Sequence, residues 1–225
     1  MELKRIATIY TDFKTKFGIP RQAGLVDSLH ATIVFESAYR VPEAVRELEN
    51  FSYIWLIWDF SEAHREEWSP TVRPPRLGGN KRVGVFATRS PFRPNPLGLS
   101  SVRLLKVELN TPQGPVLHVC GADLMNETPI YDIKPYLPFT DAHPDAQAGF
   151  ADVTLQQSLL QVVFVPDVVS LMGNDKAAAL RDVLAQDPRP HYQHDANRIY
   201  AIEFAGFEVK FKVEESVLTV TEVLQ

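Results

Sequence analysis

The sequence predicts a mainly β protein of the α+β class, with a larger β-rich first unit and a smaller α+β second unit. Three observations support this prediction. Five strand-length runs rich in β-branched and aromatic residues lie between residues 30 and 120. A stretch of turn-forming and small residues, 139–150, follows them. A candidate helix and a candidate hairpin come next, so we divide the chain into domains 1–145 and 146–225.

Turn-forming residues separate the five predicted strands of the first unit. These strands occupy 30–36, 53–59, 82–88, 101–108 and 115–120. Because a sheet that closes on itself, or packs against a second sheet, leaves few exposed edges, the pattern favours a barrel or a sandwich. One short helix is predicted over 42–50, where a proline stands at a suitable first helical position.

The second unit begins with a predicted helix over 175–186, with Asn174 as its N-cap and Pro188 just after its end. A hairpin is predicted over 199–204 and 207–213, turning at Ala205-Gly206. Along its second strand, alternate residues are apolar and are expected on one face. They are Phe207, Val209, Phe211 and Val213.

Composition indicates an ordinary globular protein. The chain has 225 residues, 45% of them hydrophobic, and its apolar runs are far shorter than the roughly 20 residues of a membrane span. The N-terminal residues contain no apolar signal core. The single cysteine, Cys120, excludes an internal disulfide and suits a reducing compartment. We therefore expect a soluble, cytoplasmic protein.

The charge is unevenly distributed. The net charge of −5 argues against a general nucleic-acid binder, yet residues 69–107 contain no acidic residue. Eight basic residues lie in this segment: Arg73, Arg76, Lys81, Arg82, Arg89, Arg93, Arg103 and Lys106. Such a segment suits a protein that holds a polyanion at a chosen place, because phosphate contacts supply position and affinity. A solvated loop kept soluble by its basic side chains is the alternative.

A proline-rich loop occupies the middle of this basic segment, within 81–103. Three prolines stiffen it: Pro91, Pro94 and Pro96. Arg89 and Arg93 offer planar guanidinium groups that can bind a carboxylate or phosphate through two hydrogen bonds. The loop therefore favours a ligand-binding role, with a structural proline turn as the alternative.

A second chemical pattern lies in 128–140. Asp132, Lys134 and Tyr136 stand at alternating positions, so their side chains share one face of an extended chain. An acid, an amine and a phenol together can serve proton transfer, although an ion pair on an edge strand gives the same pattern. Near the N-terminus, Arg21 and Gln22 combine a charged donor with a neutral amide, which is a weaker signal.

Several kinds of site lack their sequence motifs. The six histidines show no metal-ligand spacing, and one cysteine cannot form a cysteine-rich zinc site, so we expect no metal. No G-x-G-x-x-G, P-loop or G-x-S-x-G motif occurs. A Rossmann cofactor site, an NTPase and a serine-triad hydrolase are therefore unsupported.

Four motifs, taken in order, resemble one known family. They are FGIPRQ (17–22), PTVRPPRLGGNKRVGVFATRSPFRPNPLGLS (70–100), TPIYDIKPYLPF (128–139) and VLAQDPRPHY (183–192). The chain resembles the TrmO-like, barrel-shaped methyltransferases, which use S-adenosylmethionine to methylate N6 of threonylcarbamoyladenosine at position 37 of tRNA. The resemblance implies a β-barrel first domain that binds the methyl donor, a small α+β C-terminal domain, and a homodimer with its active site near the subunit interface.

The resemblance also implies which residues contact the donor. These are Pro20, Arg21, Gln22, Ser61, Glu62, Arg89, Leu99, Gly121, Ala122, Asp123 and Leu124. For the tRNA we expect a second set: Arg73, Arg76, Lys81, Arg82, Arg93 and Asn95. Within it, Arg93 is expected to pair with the threonyl carboxylate. Asp132 is the candidate proton acceptor, oriented by Lys134, while Tyr136 positions the base.

This chain departs from the family pattern at two places. Ser61-Glu62 stands where the family often has a histidine-containing pair, and His64 follows two residues later. Asn126-Glu127 stands where Asp-Gly is usual, so the turn there is expected to be differently shaped. Two rival functions remain, a non-catalytic RNA-binding module and a small-molecule methyltransferase.

Overall fold

A closed six-stranded barrel forms the first part of the molecule. The computed structural model of the chain describes residues 2–74, 77, 80–154, 159–189 and 195–225. The barrel strands are β1 (Ala7–Tyr10), β2 (His30–Phe35), β3 (Tyr53–Asp59), β6 (Leu97–Glu108), β7 (Val116–Cys120) and β8 (Thr128–Pro135). Their order around the barrel is β1-β2-β7-β6-β3-β8, and every pair is antiparallel.

Strand β3 illustrates why these residues form a barrel wall. Ile54, Leu56 and Trp58 point inward and are buried, whereas the residues between them face outward. This alternation follows from the two-residue period of a strand, and each inward side chain adds apolar area to the core. Strand β3 pairs with β6 on one side and β8 on the other, so it lies at the centre of the wall that carries most of the motifs.

A four-stranded sheet with two helices forms the second part. Its strands, in order, are β10 (Tyr200–Phe204), β11 (Phe207–Glu214), β12 (Val217–Leu224) and β9 (Gln161–Val163). The helices are α2 (Val168–Met172) and α3 (Asn174–Ala185). Their apolar core also includes Phe13, Val26 and Leu29 from the first part of the chain. The two parts therefore share a hydrophobic cluster, and the segment 13–29 joins them.

Short elements complete the fold. A two-stranded ladder pairs β4 (Thr71–Val72) with β5 (Val83–Gly84). A one-turn helix, α1 (Pro138–Asp141), follows the barrel. The 3₁₀ turns are Ser37–Tyr39, Pro42–Val45, Leu48–Asn50, Val85–Ala87 and Gly149–Thr154.

The predicted fold class is confirmed, and two of its elements are wrong. The strand expected over 82–88 ends at Gly84, because the amide and hydroxyl of Thr88 both donate to the carbonyl of Val85 and close a 3₁₀ turn. The helix expected over 42–50 is two 3₁₀ turns, because Glu47 takes a left-handed φ of 67° between them. A continuous α-helix cannot pass through that conformation.

The second unit follows its prediction closely. The helix begins one residue early, so Asn174 is its first residue and Gly173 is the cap. In the hairpin, Ala205 and Gly206 both have positive φ, at 52° and 85°, as a two-residue hairpin turn requires. The predicted apolar face of β11 is buried, apart from the half-buried Phe207.

Candidate functional site

A series of hydrogen bonds links two strands, β3 and β6, to the loop after β7 at one end of the barrel. The indole Nε1 of Trp58 donates to Ser100 Oγ at 3.0 Å, and Ser100 Oγ donates to Asp123 Oδ1 at 2.6 Å. Trp58 and Ser100 are 7% and 2% exposed, so this series of hydrogen bonds starts inside the barrel and ends at its rim, at Asp123. Because each buried polar group has a partner, the position of Asp123 is fixed by the core.

The position of Trp58 depends on Gly98, its partner across the β3–β6 ladder. A Cβ atom on Gly98 would lie 2.1 Å from Cε2 of Trp58, far inside contact distance. The indole therefore lies directly on the glycine backbone, and any other residue would displace it.

The FGIPRQ motif lies beside the turn that carries Asp123. The amide of Gly24 donates to the carbonyl of Gly121 at 2.9 Å, and the backbone of Ala23 bonds to the carboxylate of Asp123. Burial raises the pKa of Asp123, and the hydrogen bond from Ser100 opposes that rise. A carboxyl group held at the rim in this way can accept hydrogen bonds from a small polar ligand.

Arg89 connects this motif to the proline-rich loop. Its guanidinium donates to the side-chain oxygen of Gln22, and its positive charge partly opposes the rise that burial causes in the pKa of Asp123. We call Gln22, Trp58, Arg89, Ser100 and Asp123 the barrel-end network. Residues from two of the four motifs meet here: Gln22 from the first, and Arg89 and Ser100 from the second.

A broad cleft of about 1700 Å³ opens beside the barrel-end network. Seven arginines and two glutamates line it among the described residues. The arginines are Arg21, Arg65, Arg73, Arg82, Arg89, Arg93 and Arg189. We call it the arginine cleft. Since Gln22 and Arg89 belong to both the network and the cleft, the two form one continuous site.

The C-terminal motif reaches the cleft through Pro188 and Arg189. Arg189 is 9% exposed and donates to both oxygens of Asp187, at 2.8 and 2.9 Å. Burial opposes ionisation of Asp187, but the hydrogen bonds from Arg189 prevail and lower the pKa of this carboxyl. Arg21 donates to the carbonyl of Asp187 at 3.5 Å. The second domain therefore supports the FGIPRQ segment.

The predicted catalytic trio lies elsewhere, with Asp132 and Lys134 on the outer face of β8 and Tyr136 directly after the end of that strand. Lys134 Nζ is 2.9 Å from Asp132 Oδ2, and the ring of Tyr136 packs against those of Tyr53 and Trp55. The described lining of the arginine cleft includes none of the three predicted residues. The structure thus pairs Asp132 with Lys134, packs Tyr136 against two aromatic residues of β3, and separates all three from the described cleft within this chain.

A histidine–carboxylate pair at the end of β3 was missed from the sequence. His64 Nε2 is 2.7 Å from Asp59 Oδ1, and Asp59 is 8% exposed. Burial, and then the charge of Asp59 and a hydrogen bond to it, raise the pKa of Tyr131. The signal available in the sequence was an acid at an outward position of an apolar strand, five residues before a histidine. A buried carboxylate can orient an exposed imidazole for proton transfer.

The other residues predicted to contact the donor differ in burial. Pro20 is buried, Ala122 and Leu124 are buried in the barrel core, and Ser61 and Glu62 are exposed.

Leu99 is 57% exposed on the outer face of β6. Arg73, Arg82 and Arg93 line the cleft; the described lining does not include the exposed Lys81 and Asn95. Arg76 lies outside the described residues.

Two further features concern the predicted role of Arg93 and the predicted shape of the turn at Asn126-Glu127. Arg93 Nη1 donates to the carbonyls of Thr88 and Ser90 at 3.1 and 3.4 Å, so Arg93 also supports the proline-rich loop. Glu127 takes a φ of 64°, so the turn before β8 keeps the left-handed conformation that glycine would adopt more easily.

The described part of the chain shows no membrane helix and no metal site. None of its helices is long and apolar enough to cross a bilayer. No three His, Cys, Asp or Glu side chains among the described residues are placed to hold a metal ion.

Comparisons with known proteins cover nearly the whole chain. Residues 8–142 match the model of the tRNA-methyltransferase O N-terminal domain, and residues 157–225 match that of the TrmO C-terminal domain. The tRNA (adenine(37)-N6)-methyltransferase of Escherichia coli is 40% identical over 223 residues, which are 96% of this chain and 94% of that protein. The enzyme of the same name from Eikenella corrodens is 44% identical over 78% of this chain and 98% of its own length. A crystal structure of TrmO from Pseudomonas aeruginosa superposes with a TM-score of 0.79 at 28% identity, covering 100% of this chain and 99% of that one.

Proposed function

The chain belongs to the tRNA-methyltransferase O family, and we propose that it transfers a methyl group from S-adenosylmethionine to N6 of adenosine 37 in tRNA, where that adenosine carries a threonylcarbamoyl group. The observation that carries this proposal is the continuity of the barrel-end network with the arginine cleft. Gln22 and Arg89 belong to both. A small ligand at the network and a polyanion in the cleft would therefore meet at their shared border.

The barrel-end network fits the methyl donor. Asp123 offers a carboxyl group held by Ser100, while Arg89 and Gln22 offer donors of both charged and neutral kinds. When bound, S-adenosylmethionine supplies a methyl group on a positively charged sulfur. We propose that the segments around 20–22, 61–62 and 121–124, with Arg89 and Leu99, hold it.

The arginine cleft fits the anticodon arm of a tRNA. Arg73 and Arg82 line the cleft beside the β4–β5 ladder, and we propose that they contact phosphates together with Lys81 and Asn95, which are exposed. We propose that Arg93 pairs with the threonyl carboxylate, in addition to its bonds within the loop. Contacts of this kind release counterions, so binding should weaken steeply as salt rises.

The chemical step needs a proton acceptor, because a carbamoylated N6 is a poor nucleophile while it keeps its proton. We propose that Asp132 accepts this proton, that Lys134 orients Asp132 through their ion pair, and that Tyr136 positions the base. The trio lies on the outer face of the same β3–β6–β8 wall whose end forms the barrel-end network.

A homodimer would bring this outer face to a second active site. Leu99 and Tyr53 are 57% and 40% exposed on it, and Leu99, Ile57 and Asp132 lie in one row across β6, β3 and β8. Exposed apolar side chains next to functional polar ones are typical of an interface. We therefore propose that a second copy covers this face, that the protein acts in the cytoplasm, and that its domains divide between 145 and 146.

Methyl transfer to defined tRNAs tests the proposal. The protein is incubated with labelled S-adenosylmethionine and tRNA that carries either threonylcarbamoyladenosine or plain adenosine at position 37. We expect label only in the modified tRNA. A protein that binds the tRNA but not the donor would be an RNA-binding module, and label appearing in a small molecule without tRNA would indicate the other rival function.

The two candidate proton acceptors are separated by substitution. We expect Asp132→Asn to slow single-turnover methylation by roughly 100-fold or more at unchanged donor affinity. His64→Gln serves as the matched comparison, because His64 pairs with Asp59 at 2.7 Å and is the rival base. If His64→Gln removes the activity and its pH dependence while Asp132→Asn keeps both, the assignment of Asp132 is wrong.

A further inference from the structure

Three aromatic side chains stand exposed in the arginine cleft. Trp68, Phe86 and Phe92 are 51%, 70% and 38% exposed, and all three line the cleft. The rings of Trp68 and Phe86 are 6.0 Å apart between centroids, inclined by 30°. Exposed aromatic rings at a concave surface, surrounded by charge, are typical of a surface that binds a partner.

The backbone around these rings is held in place. The amide of Val85 donates to the carbonyl of Pro70 at 3.0 Å, next to the β4–β5 ladder. Val85 is 1% exposed, so the 3₁₀ turn buries Val85 and turns its neighbour Phe86 outward. Trp68 lies three residues before β4, whereas Phe86 lies two residues after β5. Because the two strands are antiparallel partners, the two rings meet at the same end of the ladder. The aromatic pair is therefore presented by a fixed turn.

The third ring is already covered on one side. The guanidinium carbon of Arg65 lies 3.7 Å from the ring centroid of Phe92. The charge around all three rings is strongly positive, since seven arginines and two glutamates line the described cleft in a chain of net charge −5. An aromatic surface of this charge suits a polyanion that also offers flat apolar faces, which describes unpaired RNA.

We infer that Trp68 and Phe86 form a stacking platform for an unpaired base of the anticodon loop next to the methylated adenosine. The inference rests on the proposed function, because it names how the same site holds its RNA. Phosphates contact the arginines and supply affinity without regard to pairing, whereas the platform accepts only a base that has left the helical stack. The platform therefore selects a loop over a duplex.

Binding of anticodon stem-loops to Trp68→Ala, Phe86→Ala and Trp68→Phe tests this inference. We expect each alanine variant to raise the Kd by roughly tenfold, because stacking of one base is lost. Trp68→Phe keeps a ring and should bind nearly as well as the native protein. Arg82→Gln is the matched control: it should flatten the dependence of binding on salt by about one unit, and the aromatic variants should leave that slope unchanged.

Stem-loops with one abasic site at each loop position locate the stacked base. An abasic site at the stacked position should weaken binding by the native protein as much as Trp68→Ala weakens binding of the intact stem-loop. The same abasic site should not weaken binding by the Trp68→Ala variant any further. The inference is overturned if Trp68→Ala binds every stem-loop as tightly as the native protein does. It is overturned as well if the difference in Kd between Trp68→Ala and the native protein is the same for every abasic position. It is also overturned if a fully paired duplex binds as tightly as the loop.

A failure of the platform is distinguishable from a failure of the proposed function. Native protein that methylates modified tRNA, together with a Trp68→Ala variant of unchanged Kd, overturns only the platform. Native protein that neither binds nor methylates the tRNA overturns both. Urea unfolding of each variant is measured alongside, and Trp68→Phe keeps the test informative if an alanine variant is less stable.

Discussion

The barrel-end network and the arginine cleft are built in opposite ways. The network joins Trp58, Ser100 and Asp123 by hydrogen bonds of 3.0 and 2.6 Å that begin in the barrel core. In the cleft, guanidinium groups and aromatic rings project from short turns, with Phe86 70% exposed. A buried network holds one small ligand in one geometry, whereas an exposed basic surface binds an extended polyanion with an affinity that depends on salt.

The largest effect on folding is expected where the network meets the core. Gly98→Ala places a methyl group where Trp58 lies, so we expect a loss of up to about 3 kcal/mol in the free energy of unfolding. Donor affinity should fall as well, because Trp58 positions Ser100 and, through it, Asp123. Urea unfolding and calorimetric titration with S-adenosylmethionine measure the two effects.

Gly84→Ala is the control for this substitution, because a Cβ on Gly84 would meet no atom within 4 Å. It should leave both stability and donor affinity unchanged. If Gly98→Ala unfolds at the same urea concentration as the native protein and binds the donor equally well, the network does not depend on the packing of Trp58.

A smaller effect is expected where the second domain supports the cleft. Asp187→Asn removes the charge that pairs with Arg189, and we expect it to cost about 2 kcal/mol at neutral pH. Because folding lowers the pKa of Asp187, the native pair stabilises the protein above the ordinary carboxyl pKa of about 3.9, and this stabilisation is lost as the pH falls through the folded pKa.

The gap in stability between native protein and Asp187→Asn should therefore narrow as the pH falls below about 4. Urea unfolding at neutral and acidic pH measures it. Glu222→Gln, which breaks the exposed pair with Lys210, is the control and should change stability little at either pH. A gap that stays constant down to acidic pH would contradict the proposed role of the Asp187 charge.

The smallest effect is expected outside both regions, at the turn before β8. Glu127 holds a left-handed φ of 64°, which costs a side-chain-bearing residue about 1 kcal/mol. We expect Glu127→Gly to raise the free energy of unfolding by up to that amount, with donor and tRNA affinity unchanged. A less stable variant would mean that the Glu127 side chain contributes more than its backbone costs.

The sequence predicted what depends on local patterns. The alternation in β3 and β11 and the turn at Ala205-Gly206 are set by neighbouring residues, so these elements are where the pattern placed them. The strand expected over 82–88 ends early because Thr88 closes a turn on Val85. The hydrophobicity of the segment does not decide whether it closes such a turn or continues as a strand.

The site was less predictable, because it depends on contacts between distant segments. Asp59 and His64 meet because the chain folds back after β3, and Arg21 meets Asp187 because two domains pack together. Residue types and spacing identified the arginines and the Asp132–Lys134 pair. They did not indicate that this pair would lie on the outer wall rather than in the cleft.

The central claim, that the network binds the methyl donor and the cleft binds the tRNA, is tested most directly by one paired titration. Asp123→Asn and Arg82→Gln are each titrated with S-adenosylmethionine and with tRNA. We predict that Asp123→Asn loses donor affinity and keeps tRNA affinity, and that Arg82→Gln shows the reverse, with a flatter salt dependence for tRNA. If Asp123→Asn binds the donor as tightly as the native protein, or if Arg82→Gln binds tRNA with an unchanged Kd and salt dependence, the claim is contradicted.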